Sequence, residues 1–308
     1  MTSPLLRLGT RGSPLALTQT GLVRDALARA VPALSQPGAI EIVPIRTTGD
    51  VIQDRPLSEA GGKGLFVKEI EEALLTGRID AAVHSMKDMP TAQPPGLAIS
   101  AFLPREDARD VLIAGDLERI DALPQGAIVG TSALRRKALL LHRRPDLRIV
   151  TLRGNVDTRL ARRADGTVHA TILALAGLKR LGKPEAGTPI PEAEMLPAVG
   201  QGAVCIESRT DDAQTRGWLA AIDHEATGVC VRAEHAMLVV LDGSCRTPIA
   251  GHAILTGSEL HLRGLIARPD GSTVLTTERR GSAADAAAMG RDAGEELKRR
   301  GGPGFFAD

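Results

Sequence analysis

Leu8-Gly9-Thr10-Arg11-Gly12-Ser13 leaves a short apolar strand through a Gly-Thr step and enters a helix that Ser13 caps and Pro14 starts. Val129-Gly130-Thr131-Ser132-Ala133-Leu134 repeats that arrangement later in the chain. Each copy sets small residues and hydroxyls where a helix N-terminus leaves a sheet edge. Such a place offers free N–H groups and a positive dipole end to an anion. Two copies predict two similar lobes facing a cleft. The plainer reading is that Gly-Thr and Gly-Ser turns make good helix caps, and the pair alone leaves both open.

Around these stretches strands and helices alternate. The helix over 14–30 repeats apolar residues at Leu15, Leu22, Ala26 and Ala30. A strand follows at 40–45, then the loop Gly61-Gly62-Lys63-Gly64. The next helix is expected to bury Phe66, Ile70, Ala73 and Leu74 and to expose Lys68, Glu69, Glu71 and Glu72. Ala81-Ala82-Val83 then runs into His84-Ser85-Met86-Lys87-Asp88-Met89-Pro90. Strands at 111–114, 127–129, 148–152 and 168–173 alternate with helices starting at Ala133 and Val156. The alternation predicts an α/β fold with largely parallel sheets. The last third differs. A helix over 227–241 precedes three strands (249–255, 260–267, 273–278), with a Pro269-Asp270-Gly271 turn, and an Ala-rich helix over 283–298. That is a small α+β domain.

The chain has 308 residues, enough for two domains or three. Lys plus Arg is 38 and Asp plus Glu is 37, a formal net charge of +1, which excludes a globally basic nucleic-acid binder and an acidic tail protein. One Trp, four Phe and no Tyr disfavour a base-stacking platform. No apolar run approaches about 18 residues, so no membrane span is expected. Residues 1–10 lack the apolar core of a signal peptide, so a cytoplasmic location with reduced thiols is expected. The cysteines are Cys205, Cys230 and Cys245, with no CxxC pair and no metal-ligand spacing. Cys205 sits in a strand and Cys230 on a helical face with Ala233, Met237 and Val240, both readable as buried apolar residues. Cys245 follows Leu241-Asp242-Gly243-Ser244 on a turn, where a reactive thiol has access.

The neutral total hides a local imbalance. From Arg135 to Arg163 there are nine Arg and one Lys against Asp146 and Asp157, a local charge of +8. A solvated helix face accounts for Arg143, Arg144, Arg162 and Arg163; an RNA-binding patch is a second reading. A third is a pocket for carboxylates or phosphates. Arg135 and Arg136 stand in a first helical turn, where the dipole disfavours cations. Arg153 follows a strand end and Arg159 lies in the next helix, while Arg11, Lys63 and Lys87 hold comparable junctions in the first lobe. Strand ends face the ligand crevice in open α/β sheets, which favours the pocket. Asp88 is then a lone acid among cations. It is a capping or salt-bridging residue, or an anion kept there to stabilise positive charge on a reacting ligand.

At these residues the chain resembles the porphobilinogen deaminase (hydroxymethylbilane synthase) family. The matching stretches are Thr10-Arg11-Gly12-Ser13-Pro14-Leu15-Ala16-Leu17, Gly61-Gly62-Lys63-Gly64-Leu65-Phe66, His84-Ser85-Met86-Lys87-Asp88-Met89-Pro90, Gly130-Thr131-Ser132-Ala133-Leu134-Arg135-Arg136, Leu152-Arg153-Gly154-Asn155, Leu196-Pro197-Ala198-Val199-Gly200-Gln201-Gly202 and the segment ending in Cys245. The resemblance implies three α/β domains. Residues 1–103 with 201–221 form a first lobe, 104–200 a second, and both resemble periplasmic solute-binding lobes flanking a cleft. Residues 222–308 form the C-terminal, cofactor-carrying domain.

The implied reaction condenses four porphobilinogen molecules head to tail, with loss of ammonia, into linear hydroxymethylbilane. Its primer is a dipyrromethane joined by a thioether to Cys245, where a soft thiol captures the electrophile left when a pyrrole loses its amine. Asp88 is the implied catalytic residue. It also stands with Lys87, Ser132, Arg135 and Arg136 as a cofactor-binding residue. Arg11, Ser13, Lys63, Phe66, Thr131, Arg153 and Arg159 are the implied substrate-binding set, and no metal is implied. Phe66 reads equally as a core residue of its helix. The resemblance further implies a monomer, without nucleic-acid or membrane partners, whose product passes to a downstream tetrapyrrole-cyclising enzyme. Three positions depart from the family pattern: Ala133 for a Ser, Ser244 for the second Gly before the cysteine, and His235 for an Arg. If that Arg grips the primer, His235 makes the grip weaker or pH-dependent. A non-catalytic two-lobe anion receptor is the alternative.

Overall fold

The computed structural model describes residues 4–51, 67–244 and 247–306. In chain order the elements are β1 (Leu6–Arg11), α1 (Pro14–Ala30), β2 (Ile40–Ile45), α2 (Thr48–Val51), α3 (Lys68–Leu75), β3 (Ala81–Ser85) and β4 (Leu97–Phe102). Then come β5 (Asp110–Ile113), β6 (Ile128–Gly130), α4 (Leu134–Arg143), β7 (Arg148–Val150), α5 (Val156–Ala164), β8 (Ala170–Ala174), α6 (Leu175–Arg180) and β9 (Thr188–Pro189). The chain continues with β10 (Val204–Arg209), α7 (Ala213–Ala220), α8 (Glu225–Val240), β11 (Ile249–Thr256), β12 (Glu259–Ala267), β13 (Val274–Ser282) and α9 (Ala286–Gly301). They fall into two compact units, Met1–Arg105 with Ala203–Gly228, and Glu106–Gly202 with Val229–Asp308.

The first unit holds a five-stranded sheet in the order β2-β1-β3-β10-β4. β1 runs parallel to β2 and β3, whereas β10 is antiparallel to β3 and β4. The second unit repeats this plan as β7-β6-β8-β5-β9, with β6 parallel to β7 and β8 and β5 antiparallel to β8 and β9. Each Gly-Thr step therefore stands at the end of the strand flanked by two parallel neighbours, inside β1 for Gly9-Thr10 and closing β6 for Gly130-Thr131. The sheets are mixed rather than largely parallel, because β10 and β5 enter against the direction of their neighbours. The glycine in each step is demanded by crowding: a Cβ on Gly9 would lie 2.2 Å from Ile79 Cδ1, and one on Gly130 2.7 Å from Leu152 Cδ2.

The second unit also contains the antiparallel sheet β11-β12-β13. Val229, Cys230, Ala233 and Met237 of α8 and Ala293 and Leu297 of α9 pack with Leu260, Leu262 and Ile266 of β12. Ala250, Leu265 and Ala267 join Ala138, Leu139 and Leu140 of α4 in another core. The last-third meander expected from sequence is present, and Cys205 and Cys230 are buried.

Two helix faces differ from the sequence reading. α1 buries Gln19, Thr20, Val23 and Leu27, while Leu22 is 45% exposed. Polar groups are tolerated inside because they are bonded: Gln19 Nε2 donates to Ser85 Oγ at 3.1 Å and Thr20 Oγ1 donates to the Ala16 carbonyl at 2.9 Å. α3 buries Ile70, Ala73 and Leu74 as expected, but Glu69 and Glu71 are half-buried rather than exposed.

Candidate active site

In the first unit, parallel pairing brings the ends of β1 and β3 to one sheet edge. Arg11 ends β1, and Ser13 caps α1 by accepting from the Ala16 N–H at 3.3 Å. β3 ends in a single 3-10 turn, Met86–Asp88, which carries Lys87 and Asp88. The turn is pinned at its start by the Met86 N–H donating to the Ala203 carbonyl at 3.0 Å, and closed by the Met89 N–H donating to Met86 O at 3.1 Å. Arg11, Ser13, Lys87 and Asp88 are all half-buried. Four of the sequence-predicted residues thus share one edge. Lys63, Phe66 and Cys245 lie outside the described residues.

In the second unit, β6 and β7 likewise end together. Thr131 and Ser132 follow β6, Arg153 follows β7, and Arg159 lies in the first turns of α5. Much of this hydroxyl and guanidinium capacity serves the local backbone. Thr131 Oγ1 accepts from the Ala133 N–H at 3.2 Å, Ser132 Oγ donates to Leu152 O at 2.8 Å, and Arg159 Nε donates to Gly154 O at 3.0 Å. Ala133 occupies the N-cap of α4 and offers no side-chain bond to its first turn. His235 is half-buried on α8. Of the outer arginines only Arg162, exposed and paired with Asp165, matches the solvated face expected of the four; Arg143 is half-buried on Asp121, Arg144 is half-buried on Asp146 and donates to the Leu123 carbonyl at 3.1 Å, and Arg163 is half-buried.

Arg135 and Arg136 are different, each only 5% exposed. Both turn onto Asp110, the fully buried first residue of β5. Arg136 donates from Nε at 3.1 Å and Nη2 at 2.7 Å to Asp110 Oδ1, and from Nη1 to Ile172 O at 2.9 Å. Arg135 Nη1 lies 2.7 Å from Asp110 Oδ2 and donates to Leu196 O at 2.8 Å. Gln201 Nε2 donates to Asp110 Oδ1 at 3.0 Å and to Ala108 O at 2.6 Å. Burial pushes the Asp110 carboxyl up, but the two guanidiniums outweigh it and hold the group well below the usual carboxylate range. This contact explains how two cations survive in a first helical turn. Two guanidiniums share one carboxylate, so one positive charge of the group is left over by it. A buried excess of that sign suits a carboxylate-bearing ligand.

Asp110 and Gln201 were not singled out by sequence reasoning. An acid opening the apolar strand Asp110-Val111-Leu112-Ile113 was the available signal. The buried pair His84–Glu207 was missed as well, although a carboxylate inside the run Val204-Cys205-Ile206-Glu207 marks it. Among the described residues, no group of three or more His, Cys, Asp and Glu is placed to hold a metal ion, and no helix is long and apolar enough to cross a membrane.

Comparison with known proteins is consistent across the whole length. The family model described as porphobilinogen deaminase, dipyromethane cofactor binding domain, matches residues 6–217, and that of the porphobilinogen deaminase C-terminal domain matches 229–299. A porphobilinogen deaminase of Nitrobacter hamburgensis is 54% identical over 306 residues, covering 99% of this chain and 96% of that protein. One from Paracoccus denitrificans is 55% identical over 303 residues, with 98% and 96% covered. The chloroplastic protein of Oryza sativa is 51% identical over 306 residues, with 98% and 86% covered. Among solved structures, a YaeC-family lipoprotein from Enterococcus faecalis aligns with a TM-score of 0.44 at 12% identity over 72% of this chain and 92% of that one, and no conclusion rests on it.

Proposed function

The chain belongs to the porphobilinogen deaminase family, and we propose that Cys245 carries its dipyrromethane group and that Asp88 carries its chemistry. The activity is that of a hydroxymethylbilane synthase, a transferase that condenses four porphobilinogen molecules and releases ammonia to give linear hydroxymethylbilane. When bound, the dipyrromethane supplies the pyrrole end from which the chain grows.

Each pyrrole ring carries an acetate and a propionate, so the ligand is rich in carboxylates. Arg135, Arg136, Ser132, Lys87 and Asp88 serve the dipyrromethane, and Arg11, Ser13, Lys63, Phe66, Thr131, Arg153 and Arg159 serve the incoming porphobilinogen. Charge-assisted bonds to desolvated carboxylates contribute roughly 1.5–3 kcal/mol each. The same cations oppose the positive charge that develops on a pyrrole as its amine departs. Asp88, next to Lys87 on the Met86–Asp88 turn, offsets that charge locally. On this reading it also takes the proton lost from the coupled ring carbon. The observation that carries the assignment of the ligand's chemistry is the buried Arg135–Arg136–Asp110 group, with two cations to one anion.

We further infer a cytoplasmic monomer that hands its product to a tetrapyrrole-cyclising enzyme. Intact mass spectrometry of freshly purified protein tests the central reading. The parent is expected to carry the mass of two pyrrole units and Cys245→Ser only that of its polypeptide. An adduct persisting in Cys245→Ser, or a parent without added mass even after incubation with porphobilinogen, refutes it.

A further inference from the structure

The face of the first sheet that α3 covers is apolar along most of its length, where Ile70, Ala73 and Leu74 pack on Ile45, Ile79, Ala82 and Leu97. Toward the end of β3 that leads to Asp88 its character changes. His84 pairs in register with Cys205 and Ala82 with Glu207, so strand alternation puts His84, Cys205 and Glu207 on this face. His84 Nε2 lies 3.3 Å from Glu207 Oε2, with the two side chains 5% and 0% exposed. His84 Nε2, both Glu207 oxygens and Oε1 of Glu71, which α3 brings over them, are buried without a hydrogen-bond partner, so His84 and Glu207 meet as a close polar contact and not as a hydrogen bond. Burial, and then the charge of Glu207, pushes the Glu71 carboxyl up to about 7. The Cys205 thiol is pushed up by burial, then by Glu207 and by Asp88, so its sulfur lies within the field of both carboxylates. Incompletely bonded buried carboxylates cost stability, and nothing in the chemistry described so far uses them.

We propose that Glu207 and His84 are positioning residues for Asp88: their buried contact holds the step from β3 into the Met86–Asp88 turn and keeps a negative charge behind the Asp88 carboxylate. The exit of β3 is then held twice. The main chain holds it through the Met86 N–H on Ala203 O at 3.0 Å. The side chains add the buried approach of His84 Nε2 to Glu207 Oε2 at 3.3 Å. Facing the pair are Glu71 from α3 and Cys205 from β10, and Lys87 and Asp88 stand on the turn into which β3 leads. The proposal rests on Asp88 as the residue that meets the reacting ring.

The test is the pH–rate profile of holoenzyme, with rates referred to primer-bearing molecules counted by intact mass. Glu207→Gln is expected to lower kcat roughly 10- to 100-fold, the scale of a misplaced reacting group, and to change KM by about twofold or less. Its acid limb should move to lower pH, because a lost negative charge makes a nearby carboxyl easier to ionise. Glu207→Asp keeps the charge and is expected to hold the limb in place and recover part of the rate. His84→Gln serves if Glu207→Gln does not fold, with the same fall in kcat expected. A variant of either residue whose rate and profile overlay the parent, even if it melts earlier, overturns the proposal. Asp88→Asn is measured beside them. Normal turnover there overturns the Asp88 reading itself, whereas an inactive Asp88→Asn with a normal Glu207→Gln overturns only the positioning role.

Discussion

Asp110→Asn keeps the shape of a side chain and removes its charge. The amide oxygen can still accept from Arg136, whose two nitrogens stand at 3.1 and 2.7 Å, and from Gln201 at 3.0 Å. The new Nδ2 would face Arg135 Nη1, which sits 2.7 Å from Oδ2, so a donor meets a donor. Two buried guanidiniums are then left without their shared anion. Removing one partner of a buried ion pair costs about 3–5 kcal/mol, against about 5–15 kcal/mol for the stability of a whole domain. At about 2–4 °C per kcal/mol, the melting transition of the second unit should fall by roughly 6–20 °C in differential scanning calorimetry. Asp157→Asn, which breaks the exposed pair with Lys183, should barely move it. The pH dependence has a definite sign. Asp110 is held below its ordinary value in the folded protein, so its contribution is present above the unfolded value of about 3.9 and fades as pH falls below it. Parent and variant should therefore converge on the acid side. A fall of under about 2 °C at neutral pH would refute the reasoning, since the arginine pair would then not depend on its carboxylate.

Asp88→Asn should retain the primer mass yet lose turnover by roughly 100-fold or more; steady-state assay of primer-bearing enzyme decides, and rapid turnover removes Asp88 from the chemistry. Glu71→Gln should match the parent in stability near pH 4 and exceed it at pH 8. The raised Glu71 carboxyl, at about 7 against 4.5, favours the folded state at low pH and loses that advantage as pH rises through both values. Allowing for its partial exposure the gain is roughly 1 kcal/mol, and chemical denaturation at the two pH values that shows no divergence contradicts it. Glu234→Gln should destabilise the second unit by about 1–3 kcal/mol. The fully buried Glu234 accepts the Gly200 N–H and the Ala253 N–H on separate oxygens, both at 2.7 Å; Gln keeps one acceptor oxygen and sets an NH2 donor against the other N–H. A melt matching the parent's would show that the second of those bonds is not needed.

The sequence made the strand-to-helix junctions legible because each is a local pattern. A Gly forced by crowding, a hydroxyl at a helix start and a basic residue just beyond a strand are written within a few consecutive positions. Arg11, Ser13, Lys87 and Asp88, and in the second unit Thr131, Ser132 and Arg153, are therefore legible at strand ends from the sequence. Helix faces were read less well. Apolar periodicity pointed α1 inward on Leu22, while the fold turned Gln19 and Thr20 inside and satisfied them with Ser85 and Ala16. Strand direction was misjudged where β5 and β10 enter antiparallel, since alternation of elements does not encode how a distant strand returns.

Sequence alone determined which residue types stand at the strand ends, cations and hydroxyls with one acid beside Lys87, and so an anion-receiving chemistry for carboxylates or phosphates. Only the tertiary structure decided which charges face each other. Asp110 meets Arg135, Arg136 and Gln201, and His84 meets Glu207, across strand pairings that join distant parts of the chain. No local spacing predicts such partners. A buried charge is tolerated only where folding supplies its counter-charge, and that supply is a property of sheet order and register rather than of neighbouring residues.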